Sequence, residues 1–205
     1  MSGRTLSTDF FDRDPILVAR ELIGTILIRT IGGVAVGGRI VETEAYLPLN
    51  DEAAHGARGK KKRNAALYMG PGTIYVHAMH RQFCLDIVTQ DRTKPGSILI
   101  RAIEPTHGAE LMRANRGTNE LTVLTSGPGR LCQALAITKK LDQCNVAEIG
   151  CPLRILAPLA GGAEVTVIQT PRIGLTKARD LMLRFCSAGS LFLSRKSPAT
   201  TYKPI

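Results

Sequence analysis

The chain has 205 residues and a mass of 22.1 kDa, and its 27 Lys and Arg outnumber 17 Asp and Glu to give a net charge of +10 and a pI near 9.7. That length predicts one domain, since cores divide only beyond roughly 250 residues, and 44% hydrophobic residues are enough to fill it. The start, MSGRTLSTDFFDRDP, lacks the basic-then-apolar order of a signal peptide, and no apolar run approaches the ~18–20 residues of a membrane span; the expectation is neither a secreted nor a membrane protein.

In chain order, Asp14 and Pro15 supply an N-cap and a first helical residue, so a helix is predicted over Ile16 to Ile23, with Gly24 ending it. The run T-I-L-I-R-T-I reads as a strand, Gly32-Gly33 as a hairpin turn, and V-A-V-G-G-R-I-V-E-T-E-A-Y as the partner strand. Residues 47–72 show little periodicity, and a loop of that length in a small domain is usually functional or disordered. T-I-Y-V-H-A-M-H-R-Q-F-C-L-D-I-V-T predicts a hairpin bent near His80 to Gln82, and Gly96 to Ile103 another strand. Pro105 is read as leading into a helix through about Asn115, and Ser126-Gly-Pro-Gly-Arg as opening a second over L-C-Q-A-L-A-I. Strands are expected over Leu153–Leu156 and Glu164–Gln169, with a last one at Leu183–Phe185 or Leu191–Leu193. The alternation is not a regular βαβ series. It predicts one α+β domain over 1–205 with mainly antiparallel pairing and flanking helices, residues 1–14 forming an N-terminal extension and 196–205 a tail.

The five cysteines form no C-x-x-C pair, which argues against structural zinc and for reduced thiols in the cytosol, or in the nucleus of a eukaryote. No G-x-G-x-x-G follows a strand, so a dinucleotide enzyme is not expected. A basic, aromatic-poor chain most often meets a polyanion, and nucleic acid is the commonest.

Glu42, Glu44 and Tyr46 alternate along one strand and share a face, while Val41, Thr43 and Ala45 form the opposite, inward face. Carboxylates so placed are either a solvated face or a reactive one. Three of the four histidines, His55, His77 and His80, and the basic run Arg58, Lys60, Lys61, Lys62 and Arg63 follow closely. His77 and His80 point to opposite sides of a strand and lack a third ligand at firm spacing, so no metal site is expected. The lysine run suits phosphate neutralisation better than nucleophilic catalysis, which needs burial. The helix start before Arg130 also suits a phosphate, though an ordinary capped helix reads the same way.

The segments V-E-T-E-A-Y, D-E-A-A-H, G-P-G-T-I-Y-V, L-I-R-A-I-E-P and S-G-P-G-R-L-C-Q-A-L-A-I, in this order, resemble the alkyladenine (3-methyladenine or methylpurine) DNA glycosylases. The resemblance covers roughly residues 15 to 195. It implies a monomeric, monofunctional base-excision enzyme without metal or cofactor, acting on double-stranded DNA with damaged purines. It further implies Glu44 as the general base, Arg101 as a holder of the catalytic water, Tyr46 as a wall stacking on the flipped base, and His55 as a hydrogen-bonding partner of the lesion. Arg130 matches a basic position near the DNA backbone.

Three positions depart from the family pattern. His77 stands where a second stacking tyrosine is expected, His80 where a bulky wedge fills the flipped-out gap, and Asp86 where an asparagine guards the pocket. The expectation is a preference for cationic purines over neutral ones such as ethenoadenine or hypoxanthine. Asp86 is also expected to raise the pKa of Glu44 where the two lie close. A damaged-DNA binder without turnover, a metal-dependent hydrolase using His77 and His80, and an RNA-directed domain are the competing readings.

Overall fold

Asp14 caps the helix that the sequence asks for: its carboxylate accepts from the Ile16 N–H at 2.7 Å, and Pro15 occupies the first turn. The computed structural model describes residues 3–79, 81–90, 92–93, 95–158 and 165–195. The expected tail at 196–205 and the position of His80 lie outside the described residues. A short helix, α1 (Thr8–Phe11), precedes the capped helix α2 (Pro15–Glu21). Leu6 and Phe11 pack into the core, and Thr5 bridges to Leu156, so much of the stretch before Asp14 is part of the packed body.

Strands β1 (Ile26–Ile31) and β2 (Val34–Tyr46) form the hairpin about Gly32-Gly33, both with positive φ as a two-residue turn requires. The second hairpin joins β3 (Ile74–Met79) to β4 (Gln82–Thr89), with Met79 opposite Gln82. Among the described residues the sheet is antiparallel, in the order β3–β4–β5–β2–β1–β6, where β5 is Gly96–His107 and β6 is Leu153–Leu156. Strand β8 (Arg184–Ser187) pairs with β2 beyond the reach of β1, and β7 (Val167–Thr170) pairs with β8.

Pro105 does not start a helix. Strand β5 runs on to His107, and helix α3 (Ala109–Arg116) begins after Gly108, whose φ is +64°. The longer strand is fixed by its partner: Gly38 opposes Pro105, and a Cβ on Gly38 would stand 1.9 Å from the Glu104 carbonyl oxygen. The proline sits where the register shifts, a place that tolerates its missing N–H. Helix α4 (Pro128–Ala134) starts as predicted after Ser126-Gly127. The last strand is the earlier of the two expected, displaced to Arg184–Ser187.

The core lies between the sheet and its helices, around Phe11, Leu22, Ile40, Ile87, Ile100 and Phe185. The Thr43 hydroxyl donates to the Ala19 carbonyl at 2.8 Å, fastening α2 to the inward face of β2. That leaves the Glu42–Glu44–Tyr46 face turned the other way. It is not solvated: Glu42 and Glu44 are both 0% exposed.

Candidate active site

The alternation of β2 brings Glu42 and Glu44 to one face, and a break in the β2–β5 ladder brings Arg101 to them. Glu42 pairs with Ala102 and Thr43 with Ile100, so Arg101 is the extra residue of a bulge. Its backbone carbonyl takes the Gly127 N–H at 3.1 Å, and its side chain reaches across to both carboxylates. Arg101 Nε lies 2.8 Å from Glu42 Oε1, Nη1 3.3 Å from Glu44 Oε1, and Nη2 3.1 Å from Ser194 Oγ.

Glu44 Oε1 also accepts from the Ile173 N–H at 2.8 Å, and Oε2 accepts from the Tyr46 hydroxyl at 3.0 Å. Burial pushes the Glu44 carboxyl above the ordinary carboxylate range, and Arg101, the Ile173 N–H and Tyr46 offset only part of that. The like charge that adds to the rise is Glu42, not Asp86, which faces His77 instead. Burial, joined by Glu44 and Asp86, likewise drives the Tyr46 hydroxyl well above its usual value, so it stays a donor.

Ile173 is held in place from a distance. The Arg172 guanidinium forms two 2.7 Å bonds with Asp51 and a 3.0 Å bond to the Ala45 carbonyl, with both charged side chains fully buried. Asp51 in turn accepts from the Leu47 and Ala53 N–H groups. Arg172 also lies over the Tyr46 ring, 4.6 Å from its centroid.

The shell around Glu44 opens onto a cleft of about 470 Å³ lined by Tyr46, His55, His77, Asp86, Arg101 and Ser194, among others. His77 and Tyr75, two apart on β3, stack with centroids 5.0 Å apart, and His55 meets His77 edge-on at 4.5 Å. His77 Nε2 lies 2.8 Å from Asp86 Oδ2. His55 Nδ1 lies 3.0 Å from the Tyr75 hydroxyl. Burial, helped by His77, lowers the His55 pKa, so its ring is neutral at neutral pH. Cys84 also borders the cleft, but burial pushes its thiol up to about 12, which removes it as a nucleophile.

Arg130 is exposed on the rim, bonded to Ser126 Oγ at 3.2 Å. Arg58, Lys61 and Arg63 stand apart, around a second hollow of about 590 Å³ that meets the cleft at His55 and His77. Asn64 orders this loop, donating to the His55 carbonyl at 2.9 Å and accepting from the Lys61 N–H at 2.6 Å. Lys60 lies 5.7 Å from the Tyr68 centroid, and Lys62 begins the 3₁₀ turn Lys62–Tyr68. Thus Glu44, Tyr46, His55, His77, Asp86 and Arg101 converge, whereas the basic residues form a separate flank.

Sequence reasoning gave Glu42 no catalytic role and overlooked Tyr75, Arg172, Arg184 and Ser194. Only the shared face of Glu42 and Glu44 pointed toward the buried network. Among the described residues no cluster of three metal-ligating side chains occurs, and no helix is long and apolar enough to cross a membrane.

The family model described as methylpurine-DNA glycosylase matches residues 9–191. Relatives that share the name "Putative 3-methyladenine DNA glycosylase" include one from Koribacter versatilis, 47% identical over 91% of both chains. One from Rhodopirellula baltica is 41% identical over 94% of this chain and 84% of its own, and one from Methanoculleus marisnigri is 41% identical over 94% and 100%. With a model spanning most of its length and relatives this similar end to end, the chain belongs to the methylpurine-DNA glycosylase family, and so to the hydrolases.

Proposed function

We propose that this protein flips an alkylated purine such as 3-methyladenine or 7-methylguanine out of double-stranded DNA and hydrolyses its N-glycosidic bond with a water activated by Glu44. The observation that carries this reading is the fully buried Glu44 carboxylate behind a cleft wall, raised in pKa by burial and faced by Arg101. A carboxylate has about four lone-pair sites. Hydrogen bonds from the Ile173 N–H and the Tyr46 hydroxyl fill two, Arg101 stands 3.3 Å from Oε1 as an ion pair, and the second lone pair of Oε2 is the one this reading gives to the water.

In the reaction the water oxygen bonds to the sugar C1′ as the bond to the purine nitrogen breaks. The electron pair of that bond leaves with the purine and cancels its alkyl-induced positive charge. The water proton passes to Glu44, whose negative charge also opposes the cationic character growing on the sugar. An abasic site remains, the starting point for base excision repair. Flipping costs a few kcal/mol, less at a damaged pair.

Tyr46 and the stacked His77–Tyr75 rings supply flat walls for the extruded base. Burial holds the Tyr75 hydroxyl protonated 3.0 Å from His55 Nδ1, and in the His55 tautomer that accepts from it Nε2–H is left to donate to the lesion. Asp86 puts an acceptor-only group beside the His77 wall, favouring purines that carry positive charge or an exocyclic amine over neutral ones. Arg130 and the flank bearing Arg58, Lys60, Lys61, Lys62 and Arg63 neutralise backbone phosphates.

The test is single-turnover release of 7-methylguanine and 3-methyladenine from alkylated duplex DNA, wild type beside Glu44→Gln, with chelator present. Release by wild type and none by Glu44→Gln is expected. Lesion binding without release by either protein would turn the reading into that of a damage binder.

A further inference from the structure

Glu42 accepts four hydrogen bonds beside the reactive carboxylate, and the reaction proposed above does not use it. Its Oε1 accepts from Arg101 Nε and Arg184 Nε, each at 2.8 Å, and from Ser194 Oγ at 2.7 Å; Oε2 accepts from the Ser194 N–H at 2.6 Å. These donors come from β5, β8 and the segment that follows β8. Ser194 Oγ also receives Arg101 Nη2. A guanidinium is planar and rigid, so fixing Nε and Nη2 fixes Nη1 as well. That nitrogen stands 3.3 Å from Glu44 Oε1, longer than either bond that anchors it.

We propose that Glu42, with Ser194, is a positioning residue that holds Arg101 back from Glu44, keeping Glu44 basic and one lone pair of its Oε2 open to water. The inference rests on the reading of Glu44 as the general base. Without the Glu42 charge, the Arg101 fork is free to turn onto Glu44 and occupy both of its oxygens. A closer cation stabilises the ionised carboxylate, weakens it as a base and shuts out the water.

The charged and titratable groups around Glu44 all enter this balance. Glu42 and Tyr46 flank it on β2, Arg101 faces it from β5, and Arg184 opposes it on β8. Cys84 on β4 and Cys186 on β8 are buried and held protonated, Asp86 is turned to His77, and Arg172 is bonded to Asp51. Losing Glu42 removes a partner from Arg101 and Arg184 alike, but Arg184 keeps the Thr170 hydroxyl and the Arg195 carbonyl, and Arg101 is the one already facing Glu44. The directions agree: Arg101 already pulls the Glu44 pKa down, and Glu42 pushes it up.

The experiment is the pH profile of single-turnover 7-methylguanine release from alkylated duplex DNA for wild type, Glu42→Gln, Ser194→Ala and Glu44→Gln, with thermal unfolding followed for each. For Glu42→Gln the acid limb is expected to move down by about one pH unit, with a lower plateau rate. Ser194→Ala is expected to shift it the same way by less. A lower plateau with an unmoved acid limb in folded Glu42→Gln would make Glu42 structural only and overturn the proposal. Should Glu42→Gln not fold, Ser194→Ala decides by the same rule. Full activity in Glu44→Gln would instead overturn the assignment of the base, a failure distinct from an unmoved limb.

Discussion

His77 Nε2 and Asp86 Oδ2 meet at 2.8 Å within the β3–β4 hairpin, placing a carboxylate that is 4% exposed against one wall of the base cleft. A carboxylate here attracts a cationic purine and gives no such attraction to ethenoadenine or hypoxanthine, which are neutral. Wild type is therefore expected to excise 7-methylguanine faster than ethenoadenine from matched duplexes. Asp86→Asn, which keeps the shape and removes the charge, is expected to lower that rate ratio about tenfold. A wild type that removes ethenoadenine faster, or an unchanged ratio in Asp86→Asn, would sink the argument.

The Arg172–Asp51 pair supports the site from the other side. Both side chains are fully buried and joined by two bonds, so truncating one partner leaves the other charged and unmatched, at a cost of about 3–5 kcal/mol. Asp51→Ala is expected to unfold at lower denaturant by that amount. It should also slow excision in the surviving folded fraction, because Arg172 positions the Ile173 N–H on Glu44. Denaturant titration read beside single-turnover rates checks both parts. A loss of stability under about 1 kcal/mol would show that the pair is not what fastens this loop.

The parts of this molecule that sequence reveals are those set by local chemistry. Gly32-Gly33 announces its hairpin because a two-residue turn demands positive φ, and alternation alone puts Glu42, Glu44 and Tyr46 together. What Glu42 does was hidden because its partners lie 59, 142 and 152 residues further along. Asp51 and Arg172 are similarly 121 residues apart. Pro105 misleads because local preference says helix start, whereas the close approach allowed by Gly38 extends the strand past it. The bulge that aims Arg101 is likewise a property of two strands at once. The motif resemblance supplied what spacing alone did not: which of two equally placed glutamates to regard as the base.

The basic flank yields a prediction about affinity. Arg58, Lys60, Lys61, Lys62 and Arg63 are all exposed, and none makes an ion pair among the described residues. Each phosphate they neutralise should add about 0.9 to the slope of log K against log salt. Binding to lesion-bearing duplex is expected to fall steeply between low and physiological salt. Replacing Lys60, Lys61 and Lys62 with Gln should flatten that dependence by about 0.9 for each phosphate no longer neutralised. Identical slopes for wild type and the triple variant would place the DNA elsewhere.

Tyr46 provides a control of opposite sign for Glu42. Its hydroxyl donates to Glu44 Oε2 at 3.0 Å, a bond that favours the ionised carboxylate and lowers its pKa. Tyr46→Phe retains the ring that faces the base and removes only the donor. The Glu44 pKa then rises further above the ordinary carboxylate value. Because the base works only when ionised, the acid limb of the rate profile should move to higher pH, opposite to the shift expected for Glu42→Gln. The rate well above that limb should fall far less than at acid pH, since a stronger base partly compensates for the lost alignment. A uniform loss at every pH would instead mean that the Tyr46 hydroxyl serves to align Glu44 or the base, and that it does not govern the proton affinity of Glu44.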